Sequence, residues 1–186
     1  MKKLAAMMLM CVAMQAGALE LDGAKFEDKA QVGNAQLVLN GAGIRSAIFW
    51  DIYAAGLYLT EKKHTAAAVM ADTGAKRLEL VVMKENDTKH FLKSLRKDIG
   101  KNYDEKQFAA FGARLDALDK MFAGIDDLKK GKVIDFDWVP GEGTQVRFDG
   151  KDFGRIEGAD FYQALLSIWI GKEPAKDSLK KELLGA

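Results

Sequence analysis

Residues 41–45 have the sequence Gly-Ala-Gly-Ile-Arg and lie between two apolar runs. An arginine on a rigid turn between two strands can hold a carboxylate or an oxyanion through two parallel hydrogen bonds. The segment is not a dinucleotide-binding fingerprint, because Ser46 stands where the third glycine is needed and a strand is expected next instead of a helix. Arg45 is therefore a candidate anion-binding residue, and a solvated arginine in a turn is the alternative.

Two carboxylates and two histidines could also do chemistry. Asp135 and Asp137 lie two apart on one face of a predicted strand, where they could bind a metal ion or act as an acid and a base. Their alternation with apolar residues favours a plain solvent-facing surface. His64 and His90 lack the spacing of a helical metal motif and have no evident set of partner ligands. No metal site and no cofactor are predicted.

The elements around Arg45 are predicted to be strands. A short apolar run at residues 37–39 ends at Asn40 and Gly41, so residues 41–43 are predicted to be a turn. Residues 47–59 are apolar at even positions such as Trp50 and at most odd positions. Such a pattern indicates a strand that is buried on both faces. Residues 77–83 alternate, with Leu78, Leu80 and Val82 on one face.

Helices follow these strands and also end the chain. Four helices are predicted. The first runs from Asp87 or Thr88 to Gly100, and the second from the Asp104–Gln107 capping box to about Gly124. The third spans Ala159–Ile170, and the fourth begins at Pro174. Between them, three short alternating runs are joined by a Pro-Gly turn at residues 140–143 and by Asp149-Gly150, a strong hairpin signal. Clustered strands joined by hairpins predict an α+β fold, with a large antiparallel sheet and helices packed on one face.

The N-terminus has the order of features that defines a secretory signal peptide. Two lysines precede an uncharged run, and residues 16–18 (Ala-Gly-Ala) follow with small side chains. We expect cleavage after Ala18, a single domain at residues 19–186, and secretion to the periplasm. The apolar run is shorter than the roughly 20 residues that a membrane-spanning helix needs, so no stable membrane anchor is expected.

Removal of this segment changes the composition of the chain. Cys11 is the only cysteine and lies within the segment, so the mature chain would have no disulfide and no cysteine-based site. The segment also holds two lysines and no acidic residue, so the formal net charge of +1 becomes −1. This charge balance gives no indication of binding to nucleic acid or to an anionic membrane surface.

Residues 41–45, followed by residues 53–59 (Tyr-Ala-Ala-Gly-Leu-Tyr-Leu), resemble the chalcone isomerase superfamily. Its plant enzymes carry a Gly-x-Gly-x-Arg segment before a Thr-Ala-Ile-Gly-Val-Tyr-Leu strand. Ile156-Glu157, the helix that follows and Gly171 are similar to a C-terminal block of the same family. With a signal peptide, the resemblance points to the bacterial, secreted chalcone isomerase-like branch. It implies an open-faced sandwich, in agreement with the fold predicted above.

The resemblance also implies roles for individual residues. The family arginine corresponds to Arg45. In the plant enzymes that arginine holds the anionic substrate, and in the fatty-acid-binding members it holds a carboxylate. The catalytic threonine corresponds to Tyr53, the tyrosine to Phe91 and the asparagine to Asp98. The late serine or threonine corresponds to Ile168, with Ser167 beside it. Because Arg45 is kept while the other catalytic positions are replaced, the resemblance favours ligand binding over isomerase activity.

Three functions follow as hypotheses. The first is a non-catalytic binding protein for a small amphipathic anion such as a fatty acid, with Arg45, Tyr53, Phe91 and Asp98 at the ligand site. The second is an intramolecular lyase acting on a phenolic substrate. The third is a structural or assembly protein of the cell envelope. The sequence leaves the ligand's identity and the oligomeric state open.

Overall fold

The computed structural model describes residues 17–47 and 49–185. The strands are β1 (Ala18–Leu21), β2 (Ala24–Glu27), β3 (Lys29–Val32), β4 (Ala35–Ala47), β5 (Trp50–Leu59), β6 (Lys76–Val82), β7 (Asn86–Asp87), β8 (Asp127–Leu128), β9 (Val133–Val139), β10 (Gly143–Phe148) and β11 (Lys151–Ile156). The helices are α1 (Ala66–Ala71), α2 (Thr88–Gly100), α3 (Glu105–Ala110), α4 (Gly112–Met121), α5 (Ala159–Ile170) and α6 (Asp177–Leu183). The predicted signal peptide falls mostly in residues 1–16, outside the described residues.

One large sheet organises the molecule. Its seven strands hydrogen-bond in the order β11-β10-β9-β6-β5-β4-β3, and every neighbouring pair is antiparallel. The helices contribute their apolar residues to a core on one face of this sheet. The predicted α+β class, with a large antiparallel sheet and helices on one face, is confirmed.

The middle of β5 is buried on both faces, as predicted. Residues 53–59 are all buried; Tyr53 and Leu57 belong to the core under the helices, whereas Ala54 and Tyr58 belong to a second core on the opposite face. The prediction is wrong for Trp50, which begins the strand and is 60% exposed. Burial on both faces is therefore limited to the middle of β5 and does not extend to the tip of the β4–β5 hairpin.

The second core is closed by strands that the sequence pattern did not reveal. β1 and β2 form a separate hairpin, and the buried Phe26 of β2 lies against β5, where a Cβ on Gly56 would come within 2.6 Å of the ring. The sheet also curls, so that its edge strand β3 approaches β6 and β9. Side chains on the face opposite the helices are consequently removed from solvent.

This curl buries a group of charged side chains on β6 and β9: Arg77, Glu79, Asp135 and Asp137. We call it the charged cluster. Arg77 donates from Nε and Nη2 to the two carboxylate oxygens of Asp137, at 2.6 and 2.7 Å. Asp135 and Asp137 are only 7% and 1% exposed, so the prediction of a plain solvent-facing surface is wrong. Alternation correctly placed the two aspartates on one face, but it could not show that this face is covered.

Burial also changes how the charged cluster binds protons. Removal from water raises the pKa of Asp135 to about 6 and that of Glu79 to about 7, and neighbouring carboxylates act in the same direction. Arg77 opposes both increases because its positive charge favours the ionised carboxylates. The charged cluster therefore places three carboxyl groups around the single positive charge of Arg77.

Residues 41–43 do not form the predicted turn but lie in the interior of the long strand β4. α6 crosses this strand so closely that a Cβ on Gly41 would lie 2.1 Å from the Glu182 carbonyl oxygen. A Cβ on Gly43 would lie 2.8 Å from the Glu182 Cβ. The two glycines make room for a helix. Asn40 secures the contact by donating to the Leu183 carbonyl at 2.7 Å.

The predicted caps at the starts of two helices are confirmed, but one predicted helix is divided in two. Asp87 caps α2 by accepting from the His90 amide, and Asp104 and Gln107 form the predicted capping box of α3. The single predicted helix between Asp104 and Gly124 is instead two, α3 and α4, which meet at Phe111 and Gly112. A glycine inside a helix costs about 1 kcal/mol relative to alanine, which favours a break at this position.

Candidate functional site

Arg45 occupies a defined position near the end of β4. It lies opposite Tyr53 of β5, and the pairing register shifts between Arg45 and Ser46. Such a bulge bends a strand and redirects its side chains. Since β-strand side chains alternate, Arg45 shares the helix-covered face with Gly41 and Gly43. The register of β4 thus places the Arg45 guanidinium on the face of the sheet beneath the helices.

Arg45 contacts two of the other residues that were predicted at the site. Its Nη2 donates to Asp98 Oδ2 of α2 at 3.2 Å, and its Nη1 donates to the Tyr53 hydroxyl at 3.4 Å. The guanidinium carbon lies 5.6 Å from the centre of the Tyr53 ring. Both hydrogen bonds are long for a charged donor. Among the described residues, these two contacts leave most of the five guanidinium N–H donors available.

Two further residues support this arrangement, and sequence reasoning did not place either of them at the site. Lys101 donates to Asp98 Oδ1 at 2.7 Å, so the Asp98 carboxylate is shared between two cations. Trp169 of α5 donates from its indole nitrogen to the Tyr53 hydroxyl at 2.8 Å. Trp169 lies in the predicted helix Ala159–Ile170, but its polar contact has no sequence signal.

A cavity of about 340 Å³ opens beside Arg45. Exposed residues form its rim: Ser46, Ala47, Lys84, Glu85 and His90. Its inner wall includes Ile52, Tyr53 and Phe91, of which Tyr53 and Phe91 are buried. The structure thus brings Arg45, Tyr53 and Phe91 to one cavity, with Asp98 behind Arg45.

A separate and much smaller cavity of about 10 Å³ lies against the core beside the first one. It shares Ile52, Tyr53 and Phe91 with the first cavity and adds the apolar side chains Leu80 and Ile134 of β6 and β9. The site therefore passes from a charged rim through aromatic walls to an apolar end. An elongated molecule with one anionic end fits this gradient of polarity.

The electrostatics of the site oppose a role for Tyr53 as a base. Burial raises the pKa of the Tyr53 phenol, although the Arg45 charge and the hydrogen bond from Trp169 act against this increase. The hydroxyl is therefore neutral at ordinary pH and serves as a hydrogen-bonding group. The arrangement can hold an anion, but it does not present an ionised nucleophile.

Ile168 and Ser167, the remaining residues implied by the family resemblance, do not line the cavity beside Arg45. Ile168 is fully buried in the core, and the Ser167 hydroxyl donates to the Ala164 carbonyl at 2.7 Å on its own helix. His64 bonds to the Leu184 carbonyl at 2.9 Å, whereas His90 lies at the cavity rim. Within residues 17–47 and 49–185, no group of three side chains is arranged to hold a metal ion.

The fold of this chain is similar to that of a protein of known structure. A crystal structure of a fatty-acid-binding protein from Arabidopsis thaliana is similar, with a TM-score of 0.71 over 90% of this chain and 96% of that chain. The two sequences are 15% identical, so this likeness concerns the fold. The comparison with curated protein sequences found no match. The sequence model described as "Chalcone isomerase-like" matches residues 18–185, and the chain therefore belongs to the chalcone isomerase-like family.

Proposed function

We propose that this protein is a secreted, non-catalytic binding protein for a small amphipathic carboxylate, with a fatty acid as the best-fitting ligand. The observation that carries the proposal is the partly satisfied Arg45 guanidinium beside a cavity of about 340 Å³. Pockets for small ligands typically range from about 300 to 1,000 Å³, so the cavity has the size of a small-molecule site.

Arg45 holds the carboxylate head in this proposal. Its side chain is 22% exposed, so it is partly desolvated yet still reached from the cavity. Partial burial strengthens a charge-assisted hydrogen bond, since the surrounding dielectric is lower than that of water. Asp98 and Tyr53 keep the guanidinium in place from behind and leave its other donors for the ligand.

The acyl chain extends from Arg45 along the aromatic wall. Ile52 and Phe91 line both the main cavity and the small apolar cavity beside it, so they mark the path of the chain. The smaller cavity holds little space with Phe91 as it stands, and Phe91→Ala should therefore admit longer chains. We expect a shift in preference toward longer fatty acids, measured by competition among carboxylates of increasing chain length.

Two further observations support the proposal. The similar Arabidopsis thaliana structure is that of a fatty-acid-binding protein. The N-terminal segment has the charge, apolar run and small residues of a secretory signal. N-terminal sequencing of exported protein should give Leu19 as the first residue, whereas an intact Met1 in the exported pool would contradict secretion with cleavage.

The direct test is a titration with a fluorescent long-chain fatty acid. Arg45→Ala should weaken binding by about tenfold to a hundredfold, since a hydrogen bond to a charged group contributes roughly 1.5–3 kcal/mol. Arg45→Lys should restore only part of the affinity, because the forked donor geometry is lost. Arg155→Ala is the matched control, since that arginine pairs with Glu142 at the far edge of the sheet. Equal affinity in the Arg45 variants and wild type would remove Arg45 from the site.

The lyase hypothesis is tested with the same protein preparation. Phe91 and Ile168 carry no hydroxyl at the positions where the family enzymes use one, and the Tyr53 phenol is held neutral. Since acid–base or oxyanion groups each contribute roughly 10²- to 10⁴-fold, their loss should leave no turnover of a hydroxychalcone above buffer. Robust cyclisation would overturn the non-catalytic assignment.

A further inference from the structure

The tip of the β4–β5 hairpin exposes two adjacent aromatic side chains. Phe49 is 84% exposed and Trp50 is 60% exposed. Among the described residues, Leu19 at 38% is the other exposed large apolar side chain. Single exposed apolar residues are ordinary on protein surfaces, but two neighbouring exposed aromatic side chains form an apolar patch of the kind that marks an interaction site.

This aromatic tip, Phe49 and Trp50, adjoins the mouth of the Arg45 cavity. Ala47 at the end of β4 and Ile52 near the start of β5 flank the tip, and both also line the cavity. Lys84, another rim residue, places its ammonium 3.8 Å from the centre of the Trp50 ring. The aromatic tip and the cavity mouth therefore form one continuous surface.

The chemistry of this surface suits the headgroup region of a lipid bilayer. Tryptophan is enriched at membrane–water interfaces because its ring is largely apolar while its N–H remains hydrated. A lysine beside it can reach outward to lipid phosphates while its aliphatic stem stays against the apolar layer. Asp51 and Glu85 are exposed nearby, which limits the tip to shallow insertion.

The proposed ligand leads to the same partner. Each methylene of a long-chain carboxylate favours transfer from water into hydrocarbon, so the ligand resides mainly in bilayers. We propose that the aromatic tip docks on a lipid bilayer surface and brings the cavity mouth to it, so that an amphipathic carboxylate passes directly between membrane and protein. This inference rests on the proposed function for its ligand, but not for its membrane contact.

The membrane contact is tested without any fatty acid. The full mature chain is floated with vesicles of equimolar phosphatidylcholine and phosphatidylglycerol. Combined Phe49→Ser and Trp50→Ser substitutions should lower the vesicle-bound fraction by at least about tenfold. Leu19→Ser, which alters an exposed apolar residue away from the cavity, is the matched control and should bind as wild type does. Equal flotation of the double variant and wild type would overturn the proposal.

A second measurement follows the fatty acid. The rate of transfer of a fluorescent fatty acid from wild-type protein to vesicles should rise with vesicle concentration, because transfer occurs during contact. The double variant should transfer at a rate independent of vesicle concentration, with its affinity for free fatty acid unchanged. A rate independent of vesicle concentration in wild type would overturn contact transfer.

Separate outcomes distinguish the two proposals. Flotation of wild type without measurable fatty-acid affinity would support the membrane contact and contradict the proposed ligand. Fatty-acid affinity without flotation would do the reverse. Sedimentation that reveals a dimer lost in the double variant, with no flotation, would assign the tip to self-association and overturn the proposal.

Discussion

Arg45 and Arg77 lie on opposite faces of the same sheet and are satisfied in different ways. Arg77 in the charged cluster makes two short hydrogen bonds to a single carboxylate, at 2.6 and 2.7 Å. Arg45 makes two longer ones, at 3.2 and 3.4 Å, to different groups beside a cavity. An arginine in a closed bidentate pair is committed to the fold, whereas one with loose contacts and free space beside it is available to a ligand.

The largest expected effect comes from removing the committed arginine. Arg77→Met should lower the free energy of unfolding by about 3–5 kcal/mol, because it leaves buried carboxylates without a counter-charge. Urea denaturation at neutral pH measures the loss. A change below about 1 kcal/mol would show that the charged cluster is more hydrated than its burial indicates.

The next effect concerns the excess of negative charge around Arg77. The pKa of Glu79 is raised from 4.5 to about 7, so the folded state binds the proton more tightly than the unfolded state. The free energy of unfolding therefore falls as pH rises through this window. Glu79→Gln removes the contribution of Glu79 to this dependence, while that of Asp135 remains, and should stabilise the protein at pH 8 by on the order of 1–3 kcal/mol.

The difference between this variant and wild type should shrink toward pH 4, where Glu79 is mostly protonated in both states because its unfolded-state pKa is 4.5. Melting curves across this pH range are the measurement. The opposite sign, with Glu79→Gln less stable at pH 8, would mean that ionised Glu79 supports Arg77 and is not in excess.

A smaller effect tests whether Arg45 is held back by its own partner. Asp98→Asn removes a buried negative charge next to the proposed carboxylate site, while the amide oxygen can still accept from Arg45. We expect tighter binding of a fatty acid, by up to about tenfold. Asp160→Asn, which alters the partner of the remote Arg114, is the control for isothermal titration. Weaker binding in Asp98→Asn would show that Asp98 orients Arg45 more than it competes with the ligand.

The smallest effect is on stability at Arg45 itself. Arg45→Ala should cost about 1 kcal/mol or less, because Lys101 still compensates the Asp98 carboxylate at 2.7 Å. Thermal melting of this variant beside Arg77→Met therefore separates the two arginines. Equal losses in both would make Arg45 a structural residue and erase the contrast between the two faces.

Much of the architecture followed from local pattern, because alternation and capping act between neighbours in sequence. The strands with Tyr53, Leu78 and Phe136 and the caps at Asp87 and Asp104 belong to this class. Pattern could not show which second face is covered, because the curl of the sheet and the β1–β2 hairpin depend on distant residues. For the same reason the burial of Asp135 and Asp137 was missed.

The candidate site divides in a similar way. Arg45 was noticed from its residue type, and its grouping with Tyr53, Phe91 and Asp98 came from family resemblance. The contact of Trp169 with Tyr53 has no such signal, since it depends on how α5 sits on the sheet. The Lys101–Asp98 pair is an i,i+3 contact that sequence spacing allows, but its place at the site depends on Arg45. Residues 41–43 were predicted to be a turn because glycines commonly mark turns, while the helix that needs them lies at the other end of the chain.

That distance also sets the order in which the molecule can be assembled. The hydrogen bond from Asn40 to Leu183 joins residues 143 apart in sequence, and α6 covers a strand made near the beginning of the chain. Closing so long a loop is entropically slow and brings no stabilisation until both ends meet. Until α6 is available, the helix-side surface of β4 stays open to solvent and to other chains. Completion of the fold therefore waits until residues 177–183 have been made and have reached β4.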